Sequence, residues 1–438
     1  MALGGGTFTA QNKVLPGTYI NFISQPTKVS GLGERGIVAL PIALTWGEQG
    51  KVLTVTAEDF QEKSLNLLGY QFGAPELLPF REIFKNASKV LVYNLTTGGK
   101  AAACTYATAK YVGTLGNSMQ VIVQKNVDDS TLFDVTLVRT DMGNYEVDKQ
   151  TVAKAADLVD NDFVVWKKDA TLAVSAGTPL TGGEAGNVST AAYQTALDKL
   201  ESYSFNILVG VSPDNTDAET LNALFIEYTK RMRTKTFAKF QTVIASDSAK
   251  ADHEGIVQLT VKQANALYWA AGALAGARGN TSCTNKTYDG EQVIDVDYTQ
   301  TQLEQFIKTG KFVFHNVEDE VNVLTDINTF VSYTQTKGSD YSSNQVVRGM
   351  DMRALAITRL HNKKYIGKIS SNDPGRVSLW DDIVSLAREQ EADGTIENYD
   401  SSKLVVTAGN DKKSTVVTEE LDFVCAMEKL YVTITLKP

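Results

Sequence analysis

The sequence predicts a mixed α/β, multidomain protein, in which an α/β core is interrupted by a β-rich inserted domain and flanked by extended N- and C-terminal β arms. Three observations predict this. Strand-like apolar runs alternate with helical periodicities over residues 26–97 and again over 188–330. Between those stretches, residues 98–187 lose the helical spacing and become rich in Thr, Gly and alternating apolar patterns. Short isolated strand patterns stand at both ends of the chain. A length of 438 residues accommodates this organisation, at roughly 100–200 residues per domain.

Residues 1–25 form the expected N-terminal arm. Gly4, Gly5 and Gly6 precede an extended stretch, Pro16-Gly17 supplies a turn, and Tyr19, Ile20 and Phe22 give bulk to a strand too short to fold alone. The first part of a discontinuous middle domain follows over 26–97. Residues 37–46 read as a strand. Thr56 and Asp59 read as an N-capping pair ahead of Phe60, Ser64, Leu67 and Leu68 at helical spacing. A second helix fits 75–87, with Leu77, Phe80, Phe84 and Ala87 on one face, and 89–95 reads as a short buried strand.

The inserted domain, 98–187, is expected to face outward, with strands at 119–127, 132–142, 163–168 and 171–176 and a glycine-rich exit at Gly182, Gly183 and Gly186. The middle domain resumes over 188–330. It has helices at 190–203, at 216–232 behind a Thr216/Glu219 capping box, and at 260–277 behind Thr260 and Gln263, with strands at 205–211 and 240–245 between them. This alternation suggests a three-layer core. A further helix is expected at 302–308, with Gly310 as its C-cap, and the last domain, 331–438, is expected to hold helices at 344–361 and 376–391, with Gly394 as a C-cap, and strands at 403–407 and 415–425. Its end, about 427–438, alternates Leu430, Val432, Ile434 and Leu436 against Tyr431, Thr433 and Thr435, a second arm-like strand.

Composition excludes several functions. The formal net charge is −9, and nucleic-acid binding begins with Lys and Arg neutralising phosphates, so no nucleic-acid partner is expected. The short basic run Lys230, Arg231, Arg233 and Lys235 sits on a predicted helix and reads as a solvated face or protein contact. Cys104, Cys283 and Cys425 are far apart, without metal-ligand spacing or a disulfide framework. The N-terminus lacks the features of a signal peptide, and no apolar run reaches the ~18–20 residues of a membrane span, so no direct membrane insertion is expected.

Motifs for chemistry fail on context. Gly31, Gly33 and Gly36 match GxGxxG, but a β-like segment follows where a phosphate-binding helix should begin. Gly116-Asn117-Ser118 starts like a nucleophile elbow and lacks its closing glycine. His253, His315 and His361 share no ligand spacing. Gly272 and Gly276 sit four apart in an Ala-rich helix, which reads as close packing on a sheet ahead of a helix–helix contact surface. The acidic clusters Asp381-Asp382 and 318–320 read as helix-start or surface charges. No cofactor, metal or catalytic residue is expected, and the chain is not expected to be an enzyme.

The opening GGGTFTAQNKVLPGTYINF resembles that of contractile tail sheath proteins of phages and phage-tail-like bacteriocins. The last quarter resembles them too, in Val346-Val347-Arg348 to Ile357, Tyr365-Ile366-Gly367-Lys368, Asn372 to Gly375-Arg376, Gly394-Thr395-Ile396-Glu397-Asn398-Tyr399 and Ala426-Met427-Glu428-Lys429-Leu430-Tyr431. The resemblance covers most of the chain and is weakest in the β-rich insertion. It implies a helical homopolymer of stacked rings around an inner tail tube protein. Baseplate and tail terminator proteins would be further partners, in a particle made in the bacterial cytoplasm and released by lysis. It also implies that arm strands are added to sheets of neighbouring subunits, through Tyr19, Ile20 and Phe22 at one end and Leu430, Val432, Ile434 and Leu436 at the other. Arg376, Arg388 and Glu389 are candidates to face the tube, and Gly17, Gly31 and Gly409 to act as hinges. The alternatives are a monomeric binding module or adhesin with the insertion as its head, and an α/β hydrolase.

Overall fold

A parallel sheet buried on both faces needs near-continuous apolar strands, and the chain supplies them on either side of its insertion. The computed structural model describes residues 35–212 and 214–437. In chain order its first elements are β1 (Ile37–Ile42), β2 (Val52–Thr56), α1 (Ala57–Leu68), α2 (Leu78–Phe84) and β3 (Lys89–Asn94). An all-β segment follows, with β4 (Ala107–Ala109), β5 (Met119–Lys125), β6 (Phe133–Arg139), β7 (Tyr145–Val152), β8 (Val164–Trp166) and β9 (Ser175–Pro179). Alternation resumes with α3 (Thr190–Leu200), β10 (Ile207–Val209), α4 (Ala218–Lys235), β11 (Gln241–Ala245), β12 (Ile256–Leu259), α5 (Leu267–Gly276), α6 (Gln300–Lys308), β13 (Phe314–Val317) and β14 (Glu320–Val323). The last part holds α7 (Asn344–Leu360), α8 (Asp373–Ala392), β15 (Ile396–Glu397), β16 (Val405–Ala408), β17 (Thr415–Thr418) and β18 (Asp422–Phe423).

The core is a six-stranded sheet in the order β12-β11-β10-β1-β3-β2, parallel except where β2 runs antiparallel to β3. Period-two alternation divides its side chains between two layers. Val38, Leu40, Val90 and Val92 pack on the side of α1, α2 and α5, whereas Ala39, Leu91 and Tyr93 pack on the side of α3 and α4. Gly272 and Gly276 explain how closely α5 sits. A Cβ on Gly272 would lie 2.4 Å from the Ile83 carbonyl oxygen, and one on Gly276 would lie 2.1 Å from that of Asn86. The two glycines thus seat α5 against the end of α2 within the chain, where the sequence had suggested packing on a sheet.

The all-β segment leaves and rejoins the core through the Thr97–Asn187 bridge. Its four-stranded sheet, β7-β6-β5-β9, is antiparallel throughout. Two buried side chains help to fasten it to the core. Trp46, fully buried, enters its hydrophobic cluster beside Tyr111 and Phe163. Buried Arg139 donates to the Gly69 carbonyl at the end of α1 (2.8 Å) while pairing with Asp141.

Several expectations need correction. The strand at 37–46 stops at Ile42, because the Leu44 N–H turns to the Asn94 side chain and Trp46 leaves for the second cluster. Thr216 and Glu219 form no capping box: Asp217 occupies the N-cap without a side-chain bond, and the Glu219 carboxylate accepts from the Ser246 and Ser248 hydroxyls. Thr260 caps only a 3-10 segment, Val261–Ala266, and Gln263 is buried against the Phe314 backbone. The acidic residues keep the surface reading and lose only the helix-start one: 318–320 are exposed, with Glu318 and Asp319 the two left-handed residues of a hairpin turn between β13 and β14. Asp381 is exposed within α8, and Asp382 beside it accepts from Lys364. One expectation stands unchanged: Gly36 is followed by a strand, β1, and not by a helix.

Replacing Gly with Ala on an exposed helix stabilises it by about 1 kcal/mol. Here the overpacking outweighs that gain, so Gly276→Ala is expected to lower stability by about 1–3 kcal/mol in chemical denaturation.

Candidate assembly interface

Helix α7 is where the last quarter of the chain meets the core, and its buried side chains are charged. Ser343 caps its N-terminus, and Arg348, Asp351 and Arg353 lie buried along it. Buried ions are costly unless paired and fully hydrogen-bonded. Arg348 pairs with Asp326 at 2.6 Å, both almost inaccessible to solvent. Asp351 accepts two bonds from Arg233 of α4, at 2.7 and 2.9 Å. Arg353 pairs with Glu419, just past β17. The basic run noted in the sequence is therefore divided: Arg233 is buried in this junction, Arg231 pairs with Glu201, and Lys230 pairs with Glu227.

Asp326 is the centre of the junction. Its carboxylate also accepts from the Cys283 N–H (2.8 Å) and the Asn344 side-chain amide (3.0 Å), and Asn344 accepts in turn from Gln241 of β11 (2.8 Å). Burial pushes the Cys283 thiol up to about 12, which keeps it protonated and chemically quiet. Cys425 is exposed on the final segment.

That final segment differs from everything before it. The Val424 N–H donates to Thr395 O and the Ala426 N–H to Gln345 Oε1. The Glu428 carboxylate then accepts from the hydroxyls of Thr284 and Thr325. From Lys429 to Lys437 the chain joins no ladder. Leu430, Val432, Ile434 and Leu436 are 78%, 67%, 79% and 88% exposed, so no described residue covers the apolar face of the expected strand. A second unfinished feature is the hairpin β16–β17. It is a sheet of two strands, with Val405, Val416 and Val417 exposed.

The other expected site residues are dispersed. Tyr19, Ile20, Phe22, Gly17 and Gly31 lie outside the described residues. Gly409 opens the turn of the β16–β17 hairpin, with its N–H donating to Ser414 O (2.9 Å). Arg376 stands in the first turn of α8 and pairs with Asp373, whereas Arg388 and Glu389 stand in its last turns, Arg388 exposed. At 1.5 Å per residue the two ends are about 18 Å apart along the axis, so these residues do not form one cluster. The histidines also stay apart: His253 Nδ1 accepts from the Gly255 N–H, His315 lies in β13, and His361 stacks on Tyr365. Sequence reasoning missed the ion pairs of α7, whose partners lie 22 to 118 residues away along the chain.

Comparison with known proteins accounts for this architecture. Residues 35–95 match the tail sheath protein Gp18 domain III N-terminal region, 97–187 the phage tail sheath protein beta-sandwich domain, 186–329 its central domain and 336–437 the phage tail sheath C-terminal domain. The crystal structure of the sheath tail protein from Desulfitobacterium hafniense is 34% identical, with a TM-score of 0.80 over 95% of this chain and 99% of that one. The chain belongs to the phage tail sheath protein family. This sheath subunit is also 31% identical to the phage-like element PBSX protein XkdK of Bacillus subtilis, over 98% of its own length and 99% of the relative's. The sheath tail protein from Listeria innocua is 29% identical, with a TM-score of 0.76, over 91% and 94% of the two chains. The fold alone is shared with the contracted helical sheath of the anti-feeding prophage (11% identity, TM-score 0.54). The protein is a structural component of a phage or phage-like tail particle, a tail sheath subunit of a contractile system, and not an enzyme.

Removing one partner of a buried ion pair leaves the other charge uncompensated. Arg348→Met is expected to destabilise the sheath subunit by about 3–5 kcal/mol in urea titration. Adding Asp326→Asn should recover part of that loss, because it removes the stranded charge.

Proposed function

We propose that this sheath subunit polymerises as stacked rings around an inner tail tube and that contraction of the polymer drives the tube through a target cell envelope. The observation that supports this best is the unpartnered strand pattern at 429–437. A strand cannot complete its hydrogen bonding alone. An exposed alternating segment beside an unfinished hairpin fits strand addition between copies of the same chain. At about 3.3 Å per residue, 429–437 reaches roughly 30 Å, whereas a four-residue strand such as β16 spans about 13 Å. The remainder is enough to cross a gap between subunits before pairing begins.

In this reading β16 and β17 receive arm strands from neighbours, and the N-terminal arm over 1–25 makes a second such link through Tyr19, Ile20 and Phe22. A head-to-tail contact that does not close on itself builds a helix, as a sheath requires. Residues 98–187 face outward, the segment from 331 faces the tube, and baseplate and terminator proteins hold the polymer's two ends. The inner domain from 331 moves as a rigid body during contraction, and the arms keep the mesh connected. Gly17, Gly31 and Gly409 are the proposed points of bending. A monomeric adhesin would leave the apolar arm without a role.

Deleting residues 1–22 is expected to leave a folded subunit with an unchanged circular dichroism spectrum and to abolish ordered cylinders in electron microscopy. Normal cylinders from the truncated chain would overturn the proposal. Reversing the charge of Arg388 and Glu389 together is expected to reduce co-sedimentation with the tube protein, since Arg388 is the exposed member of the α8 set. Unaltered binding would remove α8 from the tube-facing surface.

A further inference from the structure

The two ends of the described chain converge on one hydrogen-bonded path. The chain enters at Arg35, whose guanidinium donates to the carbonyls of Ala277 (2.8 Å) and Leu274 (3.1 Å) at the end of α5. Just beyond that helix, the carbonyls of Arg278 (3.4 Å) and Thr281 (2.6 Å) accept from Arg348. Arg348 pairs with Asp326, and the Asp326 N–H donates to Thr284 Oγ1 (2.9 Å). The Thr284 hydroxyl donates to Glu428 Oε1 (2.7 Å), which also accepts from Thr325 Oγ1 (3.1 Å). The middle of this path, Arg348 and Asp326, is buried. Glu428 is different, being exposed and held, among the described residues, by two hydroxyls.

We propose that Glu428 is a positioning residue for the C-terminal arm: clasped by Thr284 and Thr325, it fixes the point and register at which residues 429–437 leave the subunit, on the same rigid base that holds the N-terminal segment at Arg35. This rests on the strand-exchange reading above. The physical reason is the period of two along a strand, since a slip of one residue would turn Leu430, Val432, Ile434 and Leu436 from one face of a shared sheet to the other. A free tail would sample both registers. A carboxylate fixed two residues before Leu430 removes the ambiguity without adding much to the subunit's own stability, because a contact this exposed is weak. It also ties the root of the C-terminal arm to the Asp326–Arg348 pair, which Arg35 reaches from the other side through the end of α5.

The test compares four full-length or truncated chains: wild type, Glu428→Ala, Glu428→Gln and a chain ending at Glu428. Subunit melting temperature and the protein concentration at which cylinders first appear, with inner tube protein present, are measured for each. Glu428→Ala is expected to keep the wild-type melting temperature and to raise the onset concentration by about tenfold, with irregular cylinders, as the loss of charged hydrogen bonds implies. Glu428→Gln, which still accepts from both threonines, is expected to restore most of the assembly. The chain ending at Glu428 is expected to form none. Wild-type assembly by Glu428→Ala, with none by the truncated chain, would overturn the clasp and leave strand exchange standing. Wild-type assembly by the truncated chain would overturn strand exchange through this arm, and the clasp with it. A large fall in the melting temperature of Glu428→Ala would make Glu428 a folding residue and overturn its positioning role.

Discussion

The Asp326 carboxylate sits where almost no water reaches, and the junction between the core and the last quarter of the chain is arranged around its charge. Desolvating a carboxylate costs several kcal/mol even after the protein relaxes, and one cation at 2.6 Å offsets that only in good geometry. Asp326 therefore gathers Arg348 and Asn344 from α7 and the Cys283 N–H from the segment after α5. Each bond excludes other placements of α7. An apolar contact of the same area would bind as well and would tolerate sliding. The ionic contact does not, and that specificity is what a subunit with fixed arm roots requires.

The same logic runs along α7. At 100° per residue, Arg348, Asp351 and Arg353 point in three directions, and each meets a partner on a different element: the segment after β14, helix α4 and the end of β17. The helix is thus tied on several sides, so that the core, the helix and the β16–β17 hairpin share one frame. The glycine-seated contact of α5 on α2 and the Arg139 bond to Gly69 extend that frame toward the insertion.

Local pattern was legible in the sequence, and pairing was not. The run over 89–95 read as a buried strand because a parallel strand covered on both faces is apolar at every position. The helix around Phe60 and Leu68 was legible from its spacing and its Thr56 cap, and the structure shows that cap donating and accepting as expected. By contrast β7, Tyr145–Val152, is a mostly polar outer strand held by its ladder with β6, and nothing in YEVDKQTV signals it. The four residues of β12 were hidden by Gln258, a polar residue buried because its amide meets the Ser246 carbonyl. The Thr216/Glu219 pattern misled because serines distant in sequence compete for the carboxylate. Of the candidate interface, the apolar alternation at 430–436 was readable, whereas the hub at Asp326 depends on residues 18 to 43 positions away and the clasp at Glu428 on residues more than one hundred away.

Energetics explain why such an arm is left uncovered. Burying Leu430, Val432, Ile434 and Leu436 would contribute about 6–12 kcal/mol at 1.5–3 kcal/mol for each side chain. Fixing the backbone of residues 429–437 would cost about 9–18 kcal/mol at 1–2 kcal/mol per residue. A shared ladder returns only about 0.5–1.5 kcal/mol for each hydrogen bond. These opposing quantities are of similar size, so a single arm in a neighbour's sheet is a marginal contact, and two free subunits would hold each other weakly. In the proposed polymer every subunit gives and receives such strands, and the second contact forms between partners already held together, at high effective concentration. Weak links of this kind join subunits firmly only in an array, which keeps isolated subunits apart before assembly and lets each arm adjust while the body behind it stays fixed.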